Sequence, residues 1–283
     1  MSPGRGARLM EQVKRPLRRL RADYRDLTGP LRGLPSLLII GAQRSGTTSL
    51  FNYLVQHPDV LPPLGKEIHY FDLHYDRGLN WYRGRFPYAH RLRRGALTLD
   101  ASPYYLVHPL VPERAARLLP ELKLIALLRN PVDRALSHHQ HEVRGGREPL
   151  AFADAIEREG ARLAGEEERL RSDPAYYSFN HHRYSYLRRS LYLEQLRHWL
   201  RYFRRSQLLV LQSERLFRDP VAVTAEVHRF LELPPHRLER YQPFQHGSYD
   251  RGMPAELRAR LMTYFEPHNR ELFRWLGEEF DWA

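Results

Sequence analysis

Ser36-Leu-Leu-Ile-Ile-Gly-Ala-Gln-Arg-Ser-Gly-Thr-Thr48 is the stretch that decides the fold. Four consecutive aliphatic residues, 37–40, bounded by turn signals predict a strand buried on both faces. A Gly/Ser/Thr turn follows. Then come Leu50, Phe51, Tyr53 and Leu54 at helical spacing, with Pro58 as a stop for a helix over Ser49–His57. The unit is strand, loop, helix. Its loop ends where unpaired backbone N–H groups and the positive end of a helix dipole favour an anion. Gly41 and Gly46 let the backbone approach a phosphate. Ser45, Thr47 and Thr48 offer hydroxyls, and Arg44 offers a planar fork.

The loop is close to G-x-x-x-x-G-K-[ST], but the lysine position holds Thr47 and the cation has moved to Arg44. A triphosphatase would lose its β/γ-phosphate lysine by that change. A ligand with a 5′-phosphosulfate has no γ-phosphate to hold and needs no magnesium between phosphates.

Working outward, residues 96–100 are a candidate second strand. Leu122–Leu128 is a buried third, and Gln207–Leu211 a fourth. Helical patterns are expected over 131–144, 149–160, 186–205, 220–232 and 254–277. Residues 161–185 lack a clear period and read as an insertion or lid. Strands alternating with helices predict an α/β fold: a P-loop-like three-layer α/β/α arrangement on a central, mainly parallel sheet. The domain is expected over 36–283, preceded by a basic arm, 1–35.

The third strand runs into Leu127-Leu-Arg129-Asn-Pro-Val-Asp-Arg-Ala-Leu-Ser137. Arg129 ends a buried strand, and Ser137 lies about two turns into the next helix. Ligands of open α/β folds bind at the carboxyl ends of the strands. Arg129 and Ser137 therefore read as a second anion site, away from the first loop. That suits a nucleotide with phosphates at both 3′ and 5′ positions. On the residues alone, pairing of Arg129 with Asp133 and a surface position for Ser137 are equally open.

Together these motifs resemble the PAPS-dependent sulfotransferase family (PAPS is 3′-phosphoadenosine 5′-phosphosulfate). The likeness is to the heparan-sulfate type, the glucosamine N- and 3-O-sulfotransferase domains, and to bacterial relatives. It spans roughly 36–282 and includes Lys66-Glu-Ile-His-Tyr-Phe71, Asp100-Ala-Ser-Pro-Tyr-Tyr105, Glu214-Arg-Leu-Phe-Arg-Asp-Pro220 and Phe280-Asp-Trp282. The resemblance implies transfer of a sulfuryl group from PAPS, leaving PAP, to a hydroxyl or amine of a carbohydrate or small-molecule acceptor. It implies no metal requirement. It makes Glu67 the general base, a residue that otherwise reads as a surface partner of Lys66. Arg44 falls at the family's loop lysine, keeping charge but not the capacity to donate a proton. His141 matches a histidine of the N-sulfotransferase branch; otherwise it reads as one histidine of an exposed face with His138 and His139. The family's closing loop maps onto His246-Gly-Ser-Tyr-Asp-Arg251, with Gly247, Ser248 and Tyr249 as donor contacts and both basic positions changed. Ala101 stands where the family carries an acceptor-side lysine.

Composition sets outer limits. The chain has 283 residues, 45 Lys+Arg against 33 Asp+Glu, a net charge of +12 and no cysteine. Thiolate chemistry, disulfides and Cys-ligated metals are excluded. Only Lys14, Lys66 and Lys123 are lysines. The basic arm reads first as a solvated tail and second as a membrane-surface or polyanion contact. No apolar run reaches the ~18 residues of a membrane span, and no signal-peptide pattern appears in the first thirty residues. A cytoplasmic location is expected. The aromatic and basic run Tyr176–Arg189 is a candidate acceptor lining. A P-loop kinase or NTPase is the alternative, weakened by Thr47. A nucleic-acid binder is disfavoured, since no recognised motif appears.

Overall fold

The computed structural model describes residues 20–92, 95–242 and 253–282. Four strands form one parallel sheet in the order β2-β1-β3-β4. They are β1 (Leu37–Gly41), β2 (Leu99–Ala101), β3 (Lys123–Leu128) and β4 (Leu208–Gln212). Leu37 pairs with Leu99 on one side and Lys123 on the other, and Leu124 pairs with Leu208.

The aliphatic run at 37–40 forms a central strand because both of its faces find a core. Side chains alternate across a strand. Leu38 and Ile40, with Leu124, Ala126 and Leu128, enter a core with Phe71, Tyr82, Trp199 and Trp282. Leu37 and Ile39, with Ile125 and Leu127, enter a second core with Leu50, Leu54, Val223 and Val227. Helices therefore cover both faces, as a parallel sheet requires.

The connections place the site. From β1 the chain goes to β2 on one side, then crosses to β3 on the other and continues to β4. The loops after β1 and β3 diverge from neighbouring strands, which is the switch point where open α/β folds form a crevice.

Several boundaries differ from the sequence reading. The helix after the β1 loop is Thr47–Leu54, which begins two residues earlier than expected. Gly46, in the left-handed region at φ 88°, is its N-cap. Residues 161–185 carry two short helices, Glu166–Ser172 and Phe179–Arg183. The amphipathic run 186–205 is helical only at Tyr192–Trp199, after a 3₁₀ turn at Arg188–Ser190. Side chains capture the backbone just before it. Arg189 donates to the carbonyls of His181 and His182, and Arg134 donates to Ser190 Oγ and the Tyr186 carbonyl. Part of the basic arm is also built into the body rather than forming a solvated tail. Residues 20–27 are helical, and Arg25 and Arg32 both donate to the Phe86 carbonyl.

Candidate active site

At the carboxyl end of β1, Gly41 is pressed against the Leu106 side chain, which a Cβ would meet at 2.7 Å. That close approach leads directly into the loop. Arg44 adopts φ 70° and Gly46 φ 88° before the helix begins. The first N–H groups of a helix have no partner within it, and this helix begins at the crevice. Thr47 and Thr48 line the crevice with Gln43 and Arg44. Ser45 Oγ is fully buried and has no hydrogen-bond partner among the described residues. Ser45 is not part of the crevice lining; the guanidinium of Arg44 and the hydroxyls of Thr47 and Thr48, which are, make a donor set that fits a phosphate or sulfate group.

The second expected anion site adjoins the first instead of standing apart. Arg44 Nε donates to Ser137 Oγ at 3.0 Å, and Arg129 donates to the Arg44 carbonyl at 3.2 Å. Ser137 is fully buried rather than a surface hydroxyl. Asp133 pairs with Arg258 of the last helix at 2.7 Å. Asn130 caps the Pro131–Arg144 helix by accepting from Val132 N and Asp133 N, which fixes the end of β3 and with it Arg129.

Opposite these cations lies Glu67. Its Oε1 accepts from Lys66 Nζ at 2.7 Å, and Oε2 faces His69 Nε2 at 3.9 Å. His69 Nδ1 bonds Asp72 Oδ2 at 2.8 Å. The His69 contact, joined by Lys66, holds the half-exposed Glu67 carboxyl down to about 2. Burial alone would lower the His69 imidazolium, but Asp72 and Glu67 override it and hold it at about 10. Glu67 is thus an ionised acceptor and His69 a charged donor at neutral pH.

The turn carrying them is strained. Glu67 and His69 both have positive φ, at 61° and 55°. Such backbone persists where its surroundings hold it. Glu67 N donates to the Ala101 carbonyl at 3.1 Å, and His69 N to Ser102 Oγ at 3.1 Å. Tyr70 N donates to Tyr105 OH at 2.9 Å. Ser102 Oγ and Tyr105 OH each donate in turn to Asp100 at 2.8 Å, and Tyr82 OH does so at 3.2 Å. Burial pushes Asp100 up to about 6, against the pull of the Tyr105 and Ser102 hydrogen bonds. Asp100 is therefore the buried anchor of the turn.

A cavity of about 580 Å³ joins the phosphate loop, Arg129, Glu67, His69 and His141. His141 is 41 % exposed and its pKa is lowered by burial. Its neighbours are not an exposed face: His138 is fully buried, and His139 is buried against the Leu150 carbonyl. From the run 176–189, His182 and Arg183 reach the cavity, while His181, Ser185 and Tyr186 pack inside. His182 stacks on Tyr104, ring centroids 4.3 Å apart. Buried Arg189 bonds the Gln43 side chain and so ties this segment to the phosphate loop. Gly247, Ser248, Tyr249, His246 and Arg251 lie outside the described residues. Among the described residues no group of acids and histidines is arranged to hold a metal ion.

The model of the sulfotransferase domain family matches residues 34–279. The chain belongs to the sulfotransferase family. It is 32 % identical over 275 residues to human heparan sulfate glucosamine 3-O-sulfotransferase 6, covering 89 % of this chain and 75 % of that protein. It is 28 % identical over 320 residues to the membrane-associated sulfotransferase kil1 of Dictyostelium discoideum, covering 90 % and 68 %. A crystal structure of a sulfotransferase from Alicyclobacillus acidocaldarius superimposes with a TM-score of 0.63 at 32 % identity, over 88 % of this chain and 98 % of that one. The protein is a sulfotransferase enzyme with a central parallel sheet.

Sequence reasoning on this sulfotransferase missed His69 and Asp72, whereas His182 and Arg183 lie within the run 176–189 that it named as a candidate acceptor lining. The signal for His69 and Asp72 was available in Glu67-x-His69-x-x-Asp72. That spacing reads as a charge relay only once the left-handed turn is known.

Proposed function

We propose that this sulfotransferase moves the sulfuryl group of PAPS to a hydroxyl of a carbohydrate acceptor, with Glu67 as general base. The observation that carries the reading is one cavity joining a Walker-like loop without its lysine to an ionised carboxylate held by His69 and Lys66. The similarity to heparan sulfate glucosamine 3-O-sulfotransferase 6 supports a glucosamine-type acceptor and O-transfer.

When bound, PAPS supplies an activated sulfuryl group on a 5′-phosphate leaving group. Gly46, Thr47 and Thr48 offer backbone N–H groups and hydroxyls to the 5′ end, with Ser45 behind them. Arg129 and Ser137 take the 3′-phosphate, which requires Arg44 to release Ser137 and turn its guanidinium toward the 5′ side. Glu67 accepts the proton of the acceptor hydroxyl as that oxygen bonds to sulfur and the bond from sulfur to the phosphate oxygen breaks. Arg44 and Lys66 stabilise charge growing on the departing oxygen electrostatically. His69 orients Glu67, and Asp72 keeps His69 charged. His141 lines the acceptor side. A carboxylate held near 2 is a weak base. Proton transfer to it becomes favourable late in the step, when sulfur has drawn density from the acceptor oxygen.

The test is incubation of the full chain with labelled PAPS and a panel of glucosamine-containing oligosaccharides, amines and small alcohols. Label should pass to a sugar hydroxyl without added metal. Transfer only to amines would overturn O-transfer, and no release of PAP with any acceptor would overturn the donor.

A further inference from the structure

Four exposed large apolar side chains of this protein fall within one short segment, while the others among the described residues are scattered. Leu20 is 65 % exposed, Tyr24 55 %, Leu27 82 % and Leu31 64 %. Their spacing of four, three and four puts them along one side of the helical segment 20–27 and the 3₁₀ turn Gly29–Leu31 that follows. One exposed leucine is ordinary; a row of four at helical spacing marks a surface that meets something.

The row is presented rigidly. Arg25 donates to the carbonyls of Gly84 and Phe86, and Arg32 donates to Phe86 O at 3.0 Å and lies over the Tyr88 ring. Asp26 is paired with Arg85, and Tyr24 OH bonds Tyr88 OH at 2.9 Å. Beside the row is a concavity of about 530 Å³ lined by Arg21, Arg25, Arg32 and Arg91, with the two tyrosines and no carboxylate. Leu64, 48 % exposed, forms part of its rim.

We propose that this face docks on an anionic lipid bilayer. Leu20, Tyr24, Leu27 and Leu31 enter the interfacial layer, and the arginine-lined concavity receives a lipid phosphate. An apolar row flanked by arginines is the pattern of a helix lying in the plane of a membrane surface. A second copy of the chain would bring two arginine-lined faces together and be repelled. A sulfated glycan would use the arginines but leave the leucines in water. Asp23 is exposed on the same helix, and Asp26 is neutralised by Arg85, so the charge facing the bilayer stays positive.

The experiment is co-sedimentation of the full chain with phosphatidylcholine vesicles, with and without phosphatidylserine, at rising salt. Binding at least about tenfold tighter to the serine-containing vesicles is expected, fading as the ionic strength passes about 0.15 M. Two variants separate the parts. Leu27→Glu with Leu31→Glu should weaken binding to both vesicle types about tenfold. Arg21→Glu with Arg91→Glu should erase the preference for phosphatidylserine. Both should keep the wild-type melting temperature and affinity for 3′,5′-adenosine bisphosphate. Equal or absent binding to the two vesicle types would overturn the proposal. So would a wild-type dimer that Leu27→Glu dissolves, or binding of heparin fragments that Leu27→Glu leaves unchanged while vesicles fail to bind.

Discussion

Glu67 sits between two cations, and its chemistry follows from which of them stays charged. His69 is held near 10 by Asp72 and Glu67, so it carries its proton across the neutral range. Because its folded pKa lies above the ordinary 6.5, the stability it confers is full below about 6.5 and is lost as pH rises through about 10. Asp72→Asn removes the largest of the supports that raise it. The imidazolium should then titrate at lower pH, and the alkaline fall in turnover should move down with it, while Glu67 is held down less firmly. A pH–rate profile beside an NMR titration of the histidine ring checks both; an unmoved alkaline limb would show that His69 has no part in the step. Glu67→Gln removes the proton acceptor and keeps the shape. Turnover should fall by about 10² or more, with affinity for 3′,5′-adenosine bisphosphate unchanged by calorimetry. Survival of transfer in that variant would mean a different base.

At the scale of elements, two short segments carry the site and each depends on its anchor. The phosphate loop needs the left-handed residue at its exit. Gly46→Ala places a Cβ 3.1 Å from the Phe217 ring at φ 88°. That backbone costs an L-residue roughly 1–2 kcal/mol, so thermal unfolding should drop by a comparable amount and donor affinity should fall with it. Unchanged melting and binding would show that the loop does not require the conformation. The Glu67 turn depends on β2 through Asp100, whose oxygens take three hydroxyls. Asp100→Asn turns an amide N–H toward one of those donors and releases the His69 and Tyr70 backbone. The expected result is a loss of kcat of about tenfold or more with little change in the donor's KM. Equal losses in donor binding and melting temperature would mark Asp100 as merely structural. These segments differ in how far the sequence disclosed them. The strand, the loop and Arg129 were readable because their chemistry is local: an aliphatic run, a glycine turn, a cation at a strand end. His69 and Asp72 were not, because their roles depend on a left-handed turn and on hydroxyls more than thirty residues away. Ser137 was expected to be apart from the loop, yet Arg44 reaches across to it, a contact between β1 and the helix after β3 that no local pattern encodes.

At the scale of the whole molecule, the sheet order β2-β1-β3-β4 was not legible from spacing, although a parallel sheet was. The alternating burial of β1 required cover on both faces, and only tertiary pairing decided which strands flank it. That pairing makes the crevice between the ends of β1 and β3, where the phosphate loop meets Arg129, and the proposed two-phosphate donor depends on that juxtaposition. The measurement that bears most directly on this is titration calorimetry of the full chain with 3′,5′-adenosine bisphosphate in the presence of a chelator, compared with ATP and magnesium. A site built from Thr47, Arg129 and Ser137 binds the bisphosphate at micromolar concentration or tighter without metal and binds ATP more weakly. Preference for ATP, or a magnesium requirement, would contradict it.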